Sequence, residues 1–366
     1  MTRAHLLDRL IGATRPGLGS AAQLREFEAV PYAERIGARS TYEALQLGAA
    51  HDPGAPALVF LPNADPGEAA RTLTHGQFIA RLTQTANAFT ALGVGPHDVV
   101  SLLLPLLPQS FTALFGAEAV GIANPVNPLL EAGQIADILR AARTKVLVTL
   151  GPGTELWDKV QRVRAELPEL AALLVVGGAD DAAQRVFALD PLVDAQPADR
   201  LVAARRIASD DTAAYFHTGG TTGLPKLVRH SHGNQVYQAW ACALMLPLDP
   251  GRTLLFGLPL FHVGGALTQG LAALAAGATL VVLSPAGWRN PQAVRNVWRL
   301  VERFRPELFG AVPTVLAAAL GVPFDGADVS SIRCVSGGGS AIPVAVGRAY
   351  EERLKVPVLE VYGMTE

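Results

Sequence analysis

Short apolar runs alternate with longer amphipathic stretches from Pro56 onward. The apolar runs have the length of strands, and the stretches between them repeat apolar residues at helical spacing. Such alternation is typical of parallel strands connected by helices that cover both faces of the sheet. The predicted strands of this first series are 57–62, 98–105, 145–151 and 173–178, and the predicted helices are 75–93, 110–121 and 131–142.

A polar stretch at 194–211 interrupts the pattern, and a second series follows it. We therefore expect two stacked α/β subdomains with mostly parallel sheets, layered αβαβα, over about 56–193 and 206–366. Residues 1–55 read as a lead-in of short helices and loops. In the second series the predicted strands are 212–217, 226–230, 254–260, 279–284, 307–312, 332–336 and 356–363, and the predicted helices are 233–245, 265–276, 291–304 and 344–354.

The loop between the first two strands of the second series is rich in glycine and threonine. Residues 217–230 read HTGGTTGLPKLVRH. Successive backbone N–H groups in such a turn can converge on an anion, with threonine hydroxyls and Lys226 adding donors and charge. A solvent-exposed hairpin turn is the alternative, because these are ordinary turn residues. A Walker A loop is disfavoured, since Pro225 precedes the lysine and Leu227 follows it.

Composition narrows the class of protein. The 366 residues carry a formal net charge of −2, so nothing in the charge balance favours a nucleic-acid partner. The two cysteines, Cys242 and Cys334, are far apart in apolar settings and predict neither a disulfide nor a metal site. The uncharged stretches 99–117 and 253–288 contain proline and other breaks, so we expect no integral membrane segment. The N-terminus does not read as a signal peptide, and the expected location is the cytoplasm, with peripheral membrane association through an acyl substrate left open.

Residues 215–226, YFHTGGTTGLPK, resemble the phosphate-binding signature of the adenylate-forming superfamily, which includes acyl-CoA synthetases, luciferases and adenylation domains. Two departures are visible: Gly219 stands where serine is common, and Leu227 stands where glycine usually follows the lysine. Further matches follow in the family's order, at LPLFHVGG (258–265), VSGGGSAIP (335–343) and VYGMTE (361–366). The chain is most similar to AMP-forming fatty acyl-CoA synthetases.

The resemblance implies a nucleotide site. Catalytic roles fall on Lys226, Thr365 and Glu366, with Glu366 as the ligand of Mg²⁺ and Thr365 at the α-phosphate. Tyr362 is expected to stack on adenine. From the residues alone, Tyr362 could equally be a strand-end tyrosine, 337–340 a structural turn, and Glu366 a solvated terminal residue. The residues expected to bind the nucleotide are Thr218, Gly219, Gly220, Thr221, Thr222, Gly223, Lys226, Gly337, Gly338, Gly339, Ser340, Tyr362, Gly363 and Thr365.

The resemblance also implies an acyl pocket. Residues expected to contact the acid are His262, Val263, Gly264, Gly310 and Val312. A lone histidine at a strand end is more often structural, so the role of His262 rests on the resemblance. His230 and His232 are assigned no chemistry, and we expect them to cap a helix or lie exposed.

The implied reaction joins a small carboxylic acid to ATP, releases pyrophosphate, and passes the acyl group to the co-substrate CoA. A fatty acid is expected, with an aryl acid as the alternative. An amino-acid substrate is disfavoured, because His262 stands where such domains carry an aspartate after Phe261. By the resemblance, the chain is an N-terminal portion that is incomplete at its C-terminal end and lacks the small C-terminal domain. A non-catalytic nucleotide-binding module therefore stays open, and the oligomeric state is not predicted.

Overall fold

A computed structural model of the protein describes residues 20–203, 205–218 and 226–366. The strands are β1 (Pro56–Phe60), β2 (Arg71–Thr74), β3 (Val99–Leu103), β4 (Ile122–Pro125), β5 (Thr144–Leu150), β6 (Ala172–Val176), β7 (Val186–Ala188), β8 (Thr212–Thr218), β9 (Lys226–Ser231), β10 (Thr253–Phe256), β11 (Thr279–Val282), β12 (Leu308–Ala311), β13 (Cys334–Gly338) and β14 (Val358–Val361).

Helices cover both faces of the sheets. The α-helices are α1 (Ala21–Glu28), α2 (Tyr32–Arg35), α3 (Thr41–Ala49), α4 (His75–Ala91), α5 (Pro108–Val120), α6 (Ala132–Ala141), α7 (Glu155–Val163), α8 (Leu189–Asp194), α9 (His232–Met245), α10 (Ala272–Ala275), α11 (Pro291–Arg295), α12 (Val297–Phe304), α13 (Pro313–Leu320) and α14 (Val344–Leu354). Single 3₁₀ turns occur at Arg164–Glu166, Ala182–Gln184 and Gly287–Arg289, and Gly264–Leu271 is wound as a π-helix.

The strands form two seven-stranded sheets. The first sheet has the order β7-β6-β5-β3-β4-β8-β9, and the second has the order β14-β13-β12-β10-β11-β1-β2. All pairings are parallel except β8 with β9 and β1 with β2, each at one edge of its sheet. The predicted α/β class with mostly parallel sheets is confirmed.

The sheets pack as five layers. Strand residues alternate between two buried faces: Val100 and Leu102 of β3 enter the central core, while Leu103 faces an outer core with α6 and α7. The central core also holds the inner face of the second sheet and the buried helices α3, α5 and α10 between the two sheets. Helices α12, α13 and α14 cover the outer face of the second sheet. This is the predicted αβαβα layering.

The two sheets do not follow the predicted division of the chain near residues 194–206. Strand β1 pairs with β11, so a strand from the first series lies in the second sheet. Strand β8 pairs with β4, so the first strands of the second series complete the first sheet. One hairpin from each half of the chain therefore belongs to the sheet that the other half mainly forms. Hydrophobic periodicity identifies strands but carries no information on such long-range pairing.

Local boundaries differ where turn chemistry outweighs the apolar pattern. The predicted strand 254–260 ends at Phe256, and the chain then bends at Leu258 and turns at 260–261. The helix expected over 291–304 is two helices, α11 and α12, separated at Asn296. Strands β2, β4 and β7 and helices α7, α8 and α13 were not predicted. Within the described residues, no helix is both long enough and apolar enough to cross a membrane.

Candidate active site

A cavity of about 1150 Å³ opens at the carboxyl ends of β10, β12, β13 and β14. The carboxyl ends of parallel strands are where ligands bind in open α/β sheets. We call residues 336–340 and 361–366 the glycine end, and residues 234–238 and 258–269 the aromatic end. The predicted site residues that line this cavity are His262, Val263, Gly264, Val312, Gly337, Gly338, Gly339, Ser340, Tyr362, Gly363, Thr365 and Glu366.

The glycines of the glycine end are required by packing and by backbone conformation. A Cβ on Gly338 would lie 2.8 Å from the carbonyl oxygen of Val361, and one on Gly337 would lie 2.8 Å from Cδ1 of Ile342. Gly339 has φ +83°, a conformation that L side chains rarely adopt. Gly339 and Ser340 are exposed to the cavity. The turn therefore presents bare backbone on which a flat ring can rest closely.

The chain after β14 runs along the same end of the cavity. Tyr362 is 88% exposed, which leaves its ring free to stack on a ligand. Gly363 has open space where a Cβ would be, and Glu366 is exposed. Thr365 is held from the first sheet, because Nε2 of His230 donates a hydrogen bond of 2.6 Å to its carbonyl oxygen.

His230 and His232 are both buried, not exposed, and the expected capping role fits His232, which accepts from the first backbone N–H of α3. Burial lowers the pKa of His230, so its neutral ring donates through Nε2 to Thr365. His232 is the first residue of α9, and its Nδ1 accepts from the backbone N–H and the hydroxyl of Thr41. Burial lowers its pKa to about 4. His230 is thus a positioning residue for the glycine end, and His232 joins α9 to α3.

His262 faces the cavity at the aromatic end. Its Nδ1 accepts a hydrogen bond of 3.1 Å from the backbone N–H of Gly264, which caps the start of the π-helix. Partial desolvation lowers the pKa of His262. The ring is therefore neutral at pH 7, and its hydrogen is on Nε2, since Nδ1 is the acceptor. This Nε2–H can donate to an oxygen of a bound acid.

Glycine permits the wide winding of the helix that follows. A Cβ on Gly265 would lie 2.2 Å from the carbonyl oxygen of Pro259, and one on Gly270 would lie 2.7 Å from the carbonyl oxygen of Gly265. The helix expected over 265–276 is therefore π-helical up to Leu271 and α-helical only from Ala272. Single π-turns inside helices are frequent at functional sites.

Aromatic rings surround this end. Tyr32 of α2 contacts Tyr237 edge-on at 5.1 Å between ring centroids, and both line the cavity. Phe261 stacks at 6.2 Å on His217, whose Nε2 accepts from the backbone N–H of Asn127. Burial lowers the pKa of His217, so this contact is between neutral rings. The first sheet thus fixes the position of one wall of the cavity.

Three predicted site residues lie in described parts of the chain but outside the cavity lining. Thr218 and Lys226 face each other across the antiparallel pair β8–β9, and Lys226 is exposed. Gly310 is buried within β12, where a Cβ would lie 2.7 Å from Nε2 of Gln269. Because it has no Cβ, Gly310 leaves room for the side chain of Gln269, which lines the cavity. The other predicted phosphate-loop residues, Gly219, Gly220, Thr221, Thr222 and Gly223, lie outside the described residues.

Several cavity residues were not predicted. Gln238 and Gln269 bring two amides to the aromatic end, and Tyr32 comes from the lead-in segment. A signal for Gln269 exists, since it is a lone amide in the otherwise apolar run ALTQGLAALAA. Nothing in the periodicity marks Tyr32, because its place in the cavity depends on how α2 packs.

The donors at the glycine end fit a magnesium–nucleotide complex. Magnesium usually takes one or two carboxylates and completes its shell with phosphates and water. Glu366 offers one exposed carboxylate at the cavity rim. Among the described residues, no three His, Cys, Asp or Glu side chains cluster as a self-contained metal site.

Comparisons with known proteins agree with the motifs. A family profile described as "AMP-binding enzyme" matches residues 45–366. The chain is 32% identical over 353 residues to the marinolic acid–CoA ligase of Pseudoalteromonas sp. (strain SANK 73390), covering 94% of this chain and 53% of that protein. It is 30% identical over 300 residues to the long-chain-fatty-acid–CoA ligase FadD13 of Mycobacterium tuberculosis (strain ATCC 25618 / H37Rv), covering 80% of this chain and 55% of the relative. The chain spans about half the length of these relatives.

Solved structures share the fold. The anthranilate CoA ligase AuaEII in complex with anthranoyl-AMP superposes with a TM-score of 0.77 at 27% identity, covering 89% of this chain and 60% of that one. The inhibitor-bound N-terminal domain of FACL13 from Mycobacterium tuberculosis gives a TM-score of 0.75 at 27% identity, covering 90% of this chain and 77% of that one. Since the profile spans most of the chain and the layered fold is shared, the chain belongs to the AMP-binding enzyme family.

Proposed function

We propose that this chain provides the acyl-adenylate site of an AMP-forming acyl-CoA ligase. The observation that supports the proposal is the continuity of one cavity from the bare backbone of residues 337–340 to the aromatic rings around His262. An acyl-adenylate has the same two parts, a nucleotide and an acyl chain, joined at one phosphate. Relatives named as CoA ligases support the reaction class.

In the proposed reaction, a carboxylate oxygen of the acid attacks the α-phosphorus of ATP. The bond from that phosphorus to the bridging oxygen breaks, and pyrophosphate leaves with the electron pair. The thiol of CoA then displaces AMP from the acyl carbon. No protein nucleophile is required, so catalysis rests on positioning and on stabilising charge.

The residues have distinct proposed tasks. Tyr362 stacks on the adenine while residues 337–339 allow its close approach. The Nε2–H of His262 orients the acid, and Lys226 with the threonines of its loop holds the β- and γ-phosphates. Glu366 would hold Mg²⁺, which when bound neutralises phosphate charge. Thr365 lies beside the α-phosphate, and His230 keeps its backbone in place.

We propose a fatty acid as the substrate, because apolar side chains such as Leu258, Val263 and Leu267 form much of the aromatic end. An aryl acid is the second candidate, favoured by the ring pairs Tyr32–Tyr237 and His217–Phe261. An amino acid is disfavoured, since His262 offers no carboxylate to pair with an ammonium group.

Calorimetric titration of the chain with non-hydrolysable acyl-adenylate mimics tests the proposal. The tails are acetyl, octanoyl, palmitoyl and benzoyl, with an aminoacyl control. We expect the octanoyl or palmitoyl mimic to bind at least tenfold more tightly than the acetyl mimic, because each buried methylene adds about 0.8 kcal/mol. A preference for benzoyl would identify the aryl alternative. Absence of binding by a folded sample would overturn the proposal.

Two lysine substitutions, titrated with ATP by the same calorimetry, test whether Lys226 binds phosphate. Lys226→Gln is expected to weaken ATP binding about tenfold, since one charge-assisted hydrogen bond is lost. The matched control Lys355→Gln changes an exposed lysine at the end of α14 and should leave the affinity unchanged. Equal effects of the two substitutions would remove Lys226 from the site.

A further inference from the structure

The aromatic end contains a buried amide whose oxygen meets no hydrogen-bond donor among the described residues. Gln269 lies in the π-helix, is only 6% exposed, and still lines the cavity. Its Oε1 is buried and meets no donor within the part of the chain that the structure describes. Buried polar side chains are nearly always paired, and leaving one unpaired costs about 1–3 kcal/mol. An unpaired amide facing a ligand cavity therefore requires a partner from the ligand or from water.

The protein makes room for this amide. Gly310 stands in β12 opposite Gln269, and any Cβ there would lie 2.7 Å from Nε2. The π-winding of Gly264–Leu271 carries Leu267, Thr268 and Gln269 in succession along the cavity wall. A glycine and an unusual helix thus accommodate one side chain whose polar end remains unpaired.

The neighbouring amide provides a contrast. Gln238 of α9 also lines the cavity, but its Nε2 contacts Sγ of Cys242 at 3.4 Å. This amide has a partner within its own helix. Of these two glutamines, only Gln269 has a buried amide oxygen that meets no donor among the described residues.

We infer that the cavity accepts a hydroxylated acyl chain whose hydroxyl group pairs with the side-chain amide of Gln269. This inference rests on the proposed function and names the substrate class more narrowly. A hydroxyl fits either orientation of the amide, since it can donate to Oε1 or accept from Nε2. A keto or ether oxygen can only accept, and would leave Oε1 unpaired.

The hydroxyl belongs in the chain of the acid, away from its carboxyl group. His262 precedes the π-helix, and Gln269 is the sixth residue of that helix, seven residues further along the chain. If His262 orients the carboxylate, Gln269 contacts a group further along the tail. A plain alkyl chain would bury the amide without a partner and bind more weakly.

Calorimetry with three adenylate mimics tests the inference: octanoyl, 3-hydroxyoctanoyl and 8-hydroxyoctanoyl. In the wild-type chain we expect at least one hydroxylated mimic to bind about tenfold more tightly than octanoyl. Gln269→Leu keeps the size of the side chain and removes the amide. It should abolish that advantage, and octanoyl should bind at least as tightly as in the wild-type chain, because its tail no longer buries an unpaired amide. Gln238→Leu is the matched control and should retain the advantage.

The outcomes separate the two proposals. If no mimic binds the folded wild-type chain, the proposed function fails and this inference fails with it. If all three mimics bind equally, the proposed function stands and the inference is overturned. Persistence of the hydroxyl advantage in Gln269→Leu also overturns it. A thermal melt checks folding, and an unchanged or higher Tm is expected for Gln269→Leu, because an unpaired buried oxygen is removed.

Discussion

The two ends of the cavity are built in different ways. The glycine end consists of exposed backbone and side chains after β13 and β14, with Tyr362 88% exposed. The aromatic end combines the partly exposed rings of Tyr32 and Tyr237 with a π-helix whose Gly265 and Gln269 are buried. In the proposed function, the first end would hold the nucleotide and the second the acyl tail. Substitution of an exposed residue such as Tyr362 should therefore affect ligand affinity, and substitution of a packed glycine such as Gly265 should affect folding stability.

The difference also explains how much could be read from the sequence. The motifs VSGGGSAIP and VYGMTE place their residues in the cavity because each follows directly from the end of one strand. The helix 265–276 was predicted as ordinary α-helix, since its width depends on contacts of Gly265 with Pro259. Gln269 and Tyr32 were missed, because their roles arise from packing between distant segments.

In the fold, too, contacts between distant segments were not predicted from the sequence. Strand and helix types follow from periodicity along most of the chain, and the αβαβα layering is confirmed. The exchange of hairpins between the sheets was not predicted, since β1 meets β11 across more than 200 residues of sequence. His230 was expected to be exposed or capping, but it reaches Thr365 through the same kind of long-range contact.

The largest expected effect is on stability at the aromatic end. Gly265→Ala places a Cβ 2.2 Å from the carbonyl oxygen of Pro259, so the turn or helix must shift. We expect a loss of about 3 kcal/mol in the free energy of unfolding. The neighbouring control Gly264→Ala places its Cβ 3.2 Å from the His262 ring and should stay within about 1 kcal/mol of wild type. Urea denaturation measures both, and equal losses would contradict the packing described for this end.

A smaller effect concerns the buried carboxyl of Glu118 in α5. It lies beside Thr41 and Gln235, but among the described residues neither of its oxygens meets a donor in good geometry. Burial raises its pKa from an ordinary 4.5 to about 8. Between these values the folded chain keeps a proton that the unfolded chain releases, so raising the pH favours unfolding.

Below pH 6.5, His232 has the opposite effect on stability: it makes the folded chain more stable as the pH rises. Its pKa falls from 6.5 to about 4, so between these values the unfolded chain holds a proton that the folded chain lacks. The two contributions cancel over much of pH 4.5–6.5, and the loss of stability appears between pH 6.5 and 8. We expect a loss of about 2 kcal/mol over that interval. Glu118→Gln, which resembles the protonated acid, should remove this loss of stability between pH 6.5 and 8. An unchanged pH slope in this variant, measured by denaturation at pH 6.5 and 8, would show that Glu118 is ionised when buried.

The most direct measurement compares the affinity for an acyl-adenylate mimic with the affinities for its two parts. The wild-type chain is titrated with AMP, with octanoate and with the octanoyl-adenylate mimic, and the titrations are repeated with Tyr362→Ala. If one cavity holds both parts, the mimic binds at least about 100-fold more tightly than AMP or octanoate. Tyr362→Ala should weaken AMP and the mimic by a similar factor of about ten, because both stack on the ring, and leave octanoate unchanged. A mimic that binds no more tightly than AMP would contradict a continuous acyl-adenylate site.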